Sequence, residues 1–400
     1  MLTTLGIILG TAAYVAISGI MLGFQNFIIE QLLNNDSHIR ISSKEKPIFA
    51  HSLDSDFFEK NEIVKWLSPP SGRKDNAKIE YPQGWFDRLN TDSNVAAYSP
   101  QLIIQAIIRR GKVAQGINMI GADVSLQEKV TNIREYMAEG KFSDIGNSGN
   151  KIVAGSSLLT KIGARVSETV FITSGKGHPI PFKIAGSFRL GIKNIDEGVI
   201  FSALGDVQKV NQTPSQISTI AVKLKNVSLA GKIADNWAST GQDKVQSWDQ
   251  ANANFMSIFR TQDILRNSMT VSITIVACFG IYNILNMLVN QKKREIAILR
   301  SIGYESKDIQ KLFLIQGIVL GLFGGIFGLF IGYLACRYYG TIKSADGMLS
   351  GKGGYMLVSY DIAIYIKAFM LAFFSSAIAS FLPARAAGKF TPIDIIRSEG

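Results

Sequence analysis

Four stretches of this sequence are long and apolar enough to cross a bilayer as helices: Leu2 to Phe24, Met269 to Val289, Leu312 to Cys336 and Ile362 to Leu382. A hydrocarbon core takes about 20 apolar residues in helical form. Lys367, a turn or so inside the fourth stretch, is the one Lys or Arg in all four. The apolar residues, 47% of the 400, are therefore gathered at the two ends of the chain. The expected class is a membrane protein of four transmembrane helices with stalk extensions, plus a large α+β extracytoplasmic domain between helices 1 and 2.

Orientation follows from the loop between the second and third stretches. Lys292, Lys293, Arg294, Arg300, Lys307 and Lys311 outweigh Glu295, Glu305 and Asp308 there, and an excess of Lys and Arg beside a span marks the cytoplasmic side. The tail after the fourth span, Pro383-Ala-Arg-Ala-Ala-Gly-Lys389, is basic again. Both termini are thus expected inside and the large polar region outside. Its charge is diffuse: residues 34–267 hold 29 Lys and Arg against 23 Asp and Glu. A formal net charge of +11 spread in this way describes a solvated surface and gives no phosphate groove for nucleic acid.

The first span has no Lys or Arg until Arg40. A cleaved signal peptide has a basic start and a shorter apolar core. Here the apolar pattern runs on through Phe27-Ile28-Ile29 to Leu32-Leu33, as expected of a retained anchor whose helix leaves the membrane as a stalk. The missing basic flank suggests a start codon further upstream and an absent cytoplasmic helix. The domains are then 1–33 (helix 1 and stalk), 34–249 (the external α+β domain) and 250–400. The last contains a second stalk, spans near 269–290, 312–336 and 362–382, and a cytoplasmic loop at 291–311.

Within the external region, strands are expected at His38 to Ser42, Leu102 to Arg109, Gln115 to Gly121, Lys151 to Ala154, Thr169 to Thr173, Phe182 to Ser187, Gly198 to Phe201 and Ile217 to Leu224. Helices are expected at Asp54 to Leu67, Gln83 to Leu89, Ser156 to Ile162, Ala203 to Val210 and Ser228 to Ser239, the last capped by Ser228. Two subdomains would divide between residues 90 and 150. Cys278 and Cys336 belong to the spans, and His38, His51 and His178 lack ligand spacing, so neither a disulfide framework nor a metal site is expected. A Walker-type Gly-x-x-x-x-Gly-Lys-Ser/Thr loop is absent, as are Gly-x-Ser-x-Gly and His-Glu-x-x-His. No catalytic, cofactor or metal residue is expected on this chain.

Three patterns remain as candidate functional features. Gly317, Gly321 and Gly325 recur every four residues, and Gly324, Gly328 and Gly332 repeat the interval on a neighbouring face; such ladders let helices approach closely in lipid. Asn283, Asn286 and Asn290 share one face of the second span. Amides are costly against lipid, so they should point into protein or a cavity, as bundle hydrogen bonds or as the lining of a substrate route. Between the spans, Ile296, Ala297, Leu299 and Ile302 form an apolar helical side that ends at Gly303, and Ser306 with Asp308 would start the next helix. This is either a rigid elbow or a basic loop that sets topology.

Lys293-Arg-Glu-Ile-Ala-Ile-Leu-Arg-Ser-Ile-Gly303, with Asp308-Ile-Gln-Lys-Leu-Phe-Leu-Ile-Gln-Gly317 and the Gly-rich third span, resembles the FtsX-like permease domain of type VII ABC transporters. The closing Leu382-Pro-Ala-Arg-Ala-Ala-Gly-Lys-Phe-Thr-Pro-Ile-Asp-Ile-Ile-Arg397 is similar to their tail. Gly121-Ala-Asp-Val-Ser to Glu139-Gly-Lys-Phe142, and Phe182-Lys-Ile-Ala-Gly-Ser-Phe188, look most like the lipoprotein-releasing LolC/LolE branch, with the MacB branch second.

The resemblance implies a permease subunit without its own ATPase. Its partners would be a cytoplasmic ABC ATPase dimer that carries ATP and Mg, a second permease subunit in a homo- or heterodimer, membrane lipids, a lipoprotein cargo and a periplasmic chaperone. Glu295, Ile296, Ala297, Leu299, Arg300, Gly303 and Ser306 are the positions that would couple the ATPase to stalk motion. The hook that recruits a chaperone should interrupt the strands around Thr173 to Lys183, where Ser174-Gly-Lys-Gly-His-Pro-Ile-Pro181 is short. Alternative functions are an FtsX-like signalling subunit that activates a periplasmic hydrolase, and a MacB-type efflux permease. An ion-driven transporter would need carboxylates well inside a span, and none is there.

Overall fold

The computed structural model describes residues 2–390 apart from 45, 52–53, 59–61, 63, 75–77, 147–148, 176 and 344–354. The tail beyond Phe390 and the middle of the Gly-rich loop at 338–360 lie outside the described residues. In chain order the helices are α1 (Leu2–Asn35), α2 (Asp54–Phe57), α3 (Pro82–Thr91), α4 (Val124–Val130), α5 (Ser156–Ile162), α6 (Lys193–Gly198), α7 (Leu204–Asn211), α8 (Ala230–Thr240), α9 (Trp248–Ala251), α10 (Ala253–Gln291), α11 (Lys293–Ser301), α12 (Ser306–Tyr339) and α13 (Ile362–Lys389). The strands are β1 (Ile39–Ser42), β2 (Lys46–Ile48), β3 (Gly72–Lys74), β4 (Val95–Arg110), β5 (Val113–Ala122), β6 (Met137–Glu139), β7 (Lys151–Gly155), β8 (Thr169–Ser174), β9 (Ile180–Phe188), β10 (Val199–Ala203), β11 (Thr219–Leu224) and β12 (Lys244–Ser247). The chain divides into two compact units, Met1–Phe27 with Ser257–Gly400, and Ile28–Met256.

The first unit is helical. Among the described residues four helices, α1, α10, α12 and α13, are long and apolar enough to span a membrane. At 39 and 34 residues, α10 and α12 measure about 58 and about 51 Å, longer than the ~30 Å hydrocarbon layer. Apolar side chains on their outer faces, such as Val276, Phe279, Phe327, Phe330, Phe374 and Ile378, are exposed, as lipid contact requires. Beyond the expected end of the fourth span at Leu382, α13 continues as a helix through Pro383 to Lys389, with Pro383, Ala384, Ala387 and Gly388 buried.

The two glycine ladders meet two different helices. A Cβ at Gly317 or Gly321 would overlap Ser380 or Ser376 of α13, and one at Gly325 would touch the Ala372 Cβ at 3.4 Å. On the other face, a Cβ at Gly324, Gly328 or Gly332 would come within 2.8 Å of Ile7 Cγ2, 2.6 Å of Thr11 Cβ and 2.8 Å of Val15 Cβ on α1. Small residues on α13 answer those on α12. Ser376 and Ser380 donate their hydroxyls to the carbonyls of Phe373 and Ala377 in their own helix, at 2.9 and 3.0 Å, so close approach leaves no hydroxyl unpaired.

The second unit is built on a ten-stranded mixed sheet of order β12-β1-β11-β4-β5-β10-β7-β9-β6, with β8 pairing both β4 and β9. Sixteen-residue β4 is its spine. Residues 95–101 pair β11 and residues 101–110 pair β5. One apolar core lies at the first end, around Ile39, Ile41, Trp85, Leu89, Val222 and Trp237. Another surrounds Ile108, Met119, Ile172 and Phe182, and a third holds Phe142, Phe188 and Phe201. The halves are therefore nested, with β11 and β12 returning to the first core. This corrects the expected linear division between residues 90 and 150.

Two other local expectations fail for physical reasons. Helix α2 stops at Phe57 and does not run to Leu67. Twelve residues of helix would hold Asp54 and Trp66 about 18 Å apart, but the Trp66 Nε1–H donates to Asp54 Oδ1 at 2.8 Å and its ring meets Phe58 edge-on at 5.7 Å. At the other end, Ser228 is not the cap of α8. Its N–H and hydroxyl both donate to Asn226 Oδ1, which caps a short 3-10 turn, and α8 begins two residues later.

His38 joins α1 to the sheet. Its carbonyl accepts the Trp248 N–H at 3.0 Å and its Nδ1 accepts the Leu224 N–H at 3.1 Å. The imidazole must be neutral to accept, and burial, aided by the Lys223 ammonium, holds its pKa below the usual histidine value. The folded chain thus binds fewer protons than the unfolded one below about pH 6.5. Stability contributed by His38 is complete above that pH and falls as acid passes it. His38→Gln, which can accept the same N–H without titrating, should flatten the pH dependence of thermal unfolding between about pH 7 and about pH 5; an unchanged slope would remove His38 as its source.

Candidate functional site

The connection between α10 and α12 is a helical elbow whose form follows from a few residues. The α10 helix ends at Gln291, Lys292 breaks the path, and α11 runs for nine residues. Gly303 then takes φ +111°, a region that side chains disfavour. The Tyr304 N–H donates to the Leu299 carbonyl at 3.1 Å and the Gly303 N–H to that of Arg300 at 3.3 Å. This is the paired closure of a Schellman motif. The next helix is capped by Glu305, whose N–H donates to Asp308 Oδ2 at 3.1 Å. Ser306, expected as that cap, is instead the first helical residue, and its hydroxyl donates to the Gly388 carbonyl of α13 at 2.5 Å.

The elbow is seated on the ends of α12 and α13. Ile296 is 2% exposed and packs with Val289, Ile309, Phe313, Ala384 and Ala387, with Leu299 and Phe390 at the margin. The Lys293 ammonium lies 5.1 Å from the centre of the Phe390 ring. Gly388 admits the closure because a Cβ there would stand 2.6 Å from Gln310 Cγ and 2.8 Å from the Ser306 carbonyl. Among the expected coupling positions, Ile296 faces inward, Ala297, Leu299 and Arg300 are half-buried, and Glu295 and Gly303 are exposed. Glu295 pairs with Lys292, and Arg300 Nη1 donates to the Tyr304 carbonyl at 3.0 Å.

The outer surface of the elbow includes Ile298 and Tyr304, which the sequence pattern does not single out, and Ile302, which was expected on the apolar side with Ile296 and Leu299 but stands outward at the C-cap, past the last turn of α11. Ile298 is 52% exposed, Ile302 73% and Tyr304 48%. A short charged helix that turns two isoleucines and a tyrosine outward offers an apolar contact ringed by Arg294, Glu295 and Lys292. Ile298 and Ile302, four residues apart, share an outward phase in the folded chain, whereas Ile296 and Leu299 face inward.

Asn283 and Asn290 are exposed and Asn286 is half-buried, on the side of α10 opposite Ile281, Leu285 and Val289. Within this chain they do not point into the bundle as expected, because the apolar row takes that place beside Ile7 and Ala372. No side-chain partner meets these amides among the described residues. The β8–β9 connection, where the hook was expected, is a hairpin closing from Ile172 paired with Ile180; residue 176 within it is outside the described set. No cluster of three metal-ligating side chains occurs among the described residues.

Four helices long and apolar enough to span a membrane, a large sheet-rich domain after the first and a packed elbow between the second and third define the class, a multi-pass membrane protein with a folded domain outside the bilayer. Residues 1–239 match the MacB-like periplasmic core domain, and residues 267–392 match the FtsX-like permease C-terminal domain. The chain belongs to the FtsX-like, MacB-type family of ABC transporter permeases. The lipoprotein-releasing system transmembrane protein LolC of Neisseria meningitidis is 23% identical over 423 residues, covering 100% of this chain and 94% of that one. LolE of Haemophilus influenzae is 22% identical, covering 83% and 84%. The macrolide export ATP-binding/permease protein MacB of Brucella abortus is 23% identical over 100% of this chain but 58% of its own length.

Proposed function

We propose that this chain is the permease subunit of an inner-membrane ABC system that releases lipoproteins. ATP hydrolysis on a separate cytoplasmic ATPase would be transmitted through the elbow and the long helices to the extracytoplasmic domain. The observation that carries this reading is the end-to-end likeness to LolC, 23% identical over 100% of this chain and 94% of that protein. In this reading the elbow faces the cytoplasm, in keeping with its Lys and Arg excess, and its outward Ile298, Ile302 and Tyr304 meet the ATPase dimer. ATP and Mg belong to that partner.

Depletion of the protein should leave mature lipoproteins in the inner membrane on fractionation, and pull-down of the full chain should recover an ATPase with a Walker A loop. Normal lipoprotein sorting with impaired cell-wall cleavage would instead assign the FtsX-like signalling role. Normal sorting with increased sensitivity to an exported drug would assign MacB-type efflux.

The uncovered asparagine face supports a second permease subunit against α10, since three unpaired amides are costly in lipid. Replacing Asn283, Asn286 and Asn290 together by Leu should leave the monomer folded and weaken dimerisation about tenfold, the factor that corresponds to about 1.4 kcal/mol. Cross-linking of the full chain in membranes measures this. An unchanged dimer with normal release would exclude the face from both dimerisation and cargo passage.

A further inference from the structure

Beside the elbow, α12 and α13 enclose a cleft of about 250 Å³ lined by Lys307, Gln310, Lys311, Leu314, Phe381, Ala384 and Arg385. Three cations line it, and among the described residues none of them has a carboxylate within 4 Å. The nearest acids along the helix are engaged: Asp308 accepts the Glu305 N–H and Glu305 sits at the cap. Gln310 donates to Ser306 Oγ at 3.4 Å.

Each helix also contributes an apolar residue to the lining, Leu314 from α12 and Phe381 from α13. Phe381 and Leu314 border the cations, and from Phe381 the outer face of α13 continues through exposed Ile378 and Phe374 into the membrane-spanning region. A site that is cationic at one end and runs without interruption into lipid-facing hydrocarbon matches one kind of molecule, an amphiphile with an anionic head and apolar chains. The volume is below the ~300–1,000 Å³ usual for drug-sized ligands and suits a head group whose chains lie outside. A soluble phosphate would use Lys307, Lys311 and Arg385 but would gain nothing from Phe381.

We propose that this cleft binds the phosphate head group of an anionic phospholipid from the leaflet on the elbow side. Lys307 and Lys311, one helical turn apart on α12, approach the phosphate from one side and the Arg385 guanidinium engages its oxygens from the other, while Phe381 and Leu314 receive the first methylenes. The lipid would thereby tie α12 to α13 at the seat of the elbow. This assignment requires only that α12 and α13 cross the membrane, and it stands apart from the identity of the cargo.

The test uses the purified full chain in mild detergent with dioleoylphosphatidylglycerol or dioleoylphosphatidylcholine added, counting retained lipids by native mass spectrometry. The wild type should retain phosphatidylglycerol preferentially. K307Q, K311Q and R385Q should each lower that preference about fivefold, the factor given by about 1 kcal/mol per cation near an anionic surface, and the triple variant should abolish it. The charge-conserving K307R/K311R/R385K should restore it, which separates loss of charge from loss of folding. Phe381→Ser should weaken retention with the charges intact, and K292Q/R294Q/K389Q, with an equal loss of charge nearby, should leave it unchanged. Undiminished preference in the single and triple variants overturns the proposal. So does displacement of the lipid by millimolar glycerol 3-phosphate, which would make the cleft a soluble-phosphate site. Loss of ATPase co-purification with lipid preference intact would assign the cations to the protein partner and equally overturn it.

Discussion

Replacing Gly321 by valine is expected to break the α12–α13 contact and to destabilise the helical unit strongly. Even the first added carbon would overlap Ser376 Oγ, stand 2.5 Å from Ser376 Cβ and press on the Ala372 carbonyl at 3.3 Å. The serine side chain could rotate its hydroxyl away, but its Cβ moves only with the backbone. Overpacking of a fitted core costs about 1–3 kcal/mol and sometimes more; with two further methyl groups at this spacing we expect about 3 kcal/mol, the upper end. In lipid no hydrophobic force presses the helices together again, so lost contact is lost stability. Gly325→Ala is the matched control. Its Cβ would meet Ala372 Cβ and Phe369 Cδ2 at 3.4 Å, an ordinary contact, and alanine gains about 1 kcal/mol of helix propensity over glycine. Thermal unfolding of the two variants in detergent should show a large fall for Gly321→Val and none for Gly325→Ala. Similar melting of the two would mean that α12 and α13 are not held by this face.

The second large effect is expected at the elbow, and it should separate folding from coupling. Ile298 and Ile302 are exposed, so Ile298→Asp with Ile302→Asp should cost little stability while placing two carboxylates in the proposed ATPase contact. Co-purification of the ATPase should fall by well over tenfold, since apolar anchors at interface centres are worth about 2 kcal/mol or more. ATP-dependent release should be lost with it. Ile296→Asp serves as the contrast. With 2% exposure among Ile309, Phe313 and Ala384, it buries an unpaired charge and should prevent stable folding. If the paired outer variant bound the ATPase normally, the outer isoleucines would have no part in docking.

The elbow shows how far a pattern in sequence reaches. Its helix, its end at Gly303 and the start of α12 follow from local rules of periodicity, positive φ and acidic caps, which need only neighbouring residues. The direction of Ile302 does not, because it shares the apolar side with Ile296 and Leu299 by spacing alone until Phe313 and Ala387, from distant parts of the chain, cover Ile296 and leave Ile302 outside. The asparagines make the same point from the other side. Their shared face was legible, but its direction was decided by Ile281, Leu285 and Val289 competing for the bundle.

In the external unit, short strands were legible, by alternation at Thr169–Ser174 and by a short apolar run at Lys151–Gly155. Pro100 hid the first third of β4, since proline weakens any strand assignment. It is tolerated at a point where the paired register with β5 has not yet begun and β11 alone is opposite, across from Ile220. Lys244–Ser247, too short and polar to declare itself, becomes β12 because β1 offers it an open edge.

What the sequence by itself determined is therefore what depends on composition and on close spacing: four spans, a mixed domain between the first two, a basic elbow, and glycines at intervals that permit close helix contact. The tertiary structure decided which helix each glycine ladder meets, that the mixed domain is nested around β4, and that Lys307, Lys311 and Arg385 share one cleft. The physical reason is the same in each case. A helix or strand forms from interactions between residues a few positions apart, whereas a helix partner or a cleft is set by side chains tens to hundreds of residues away, as Gly321 is by Ser376 and Gly328 by Thr11.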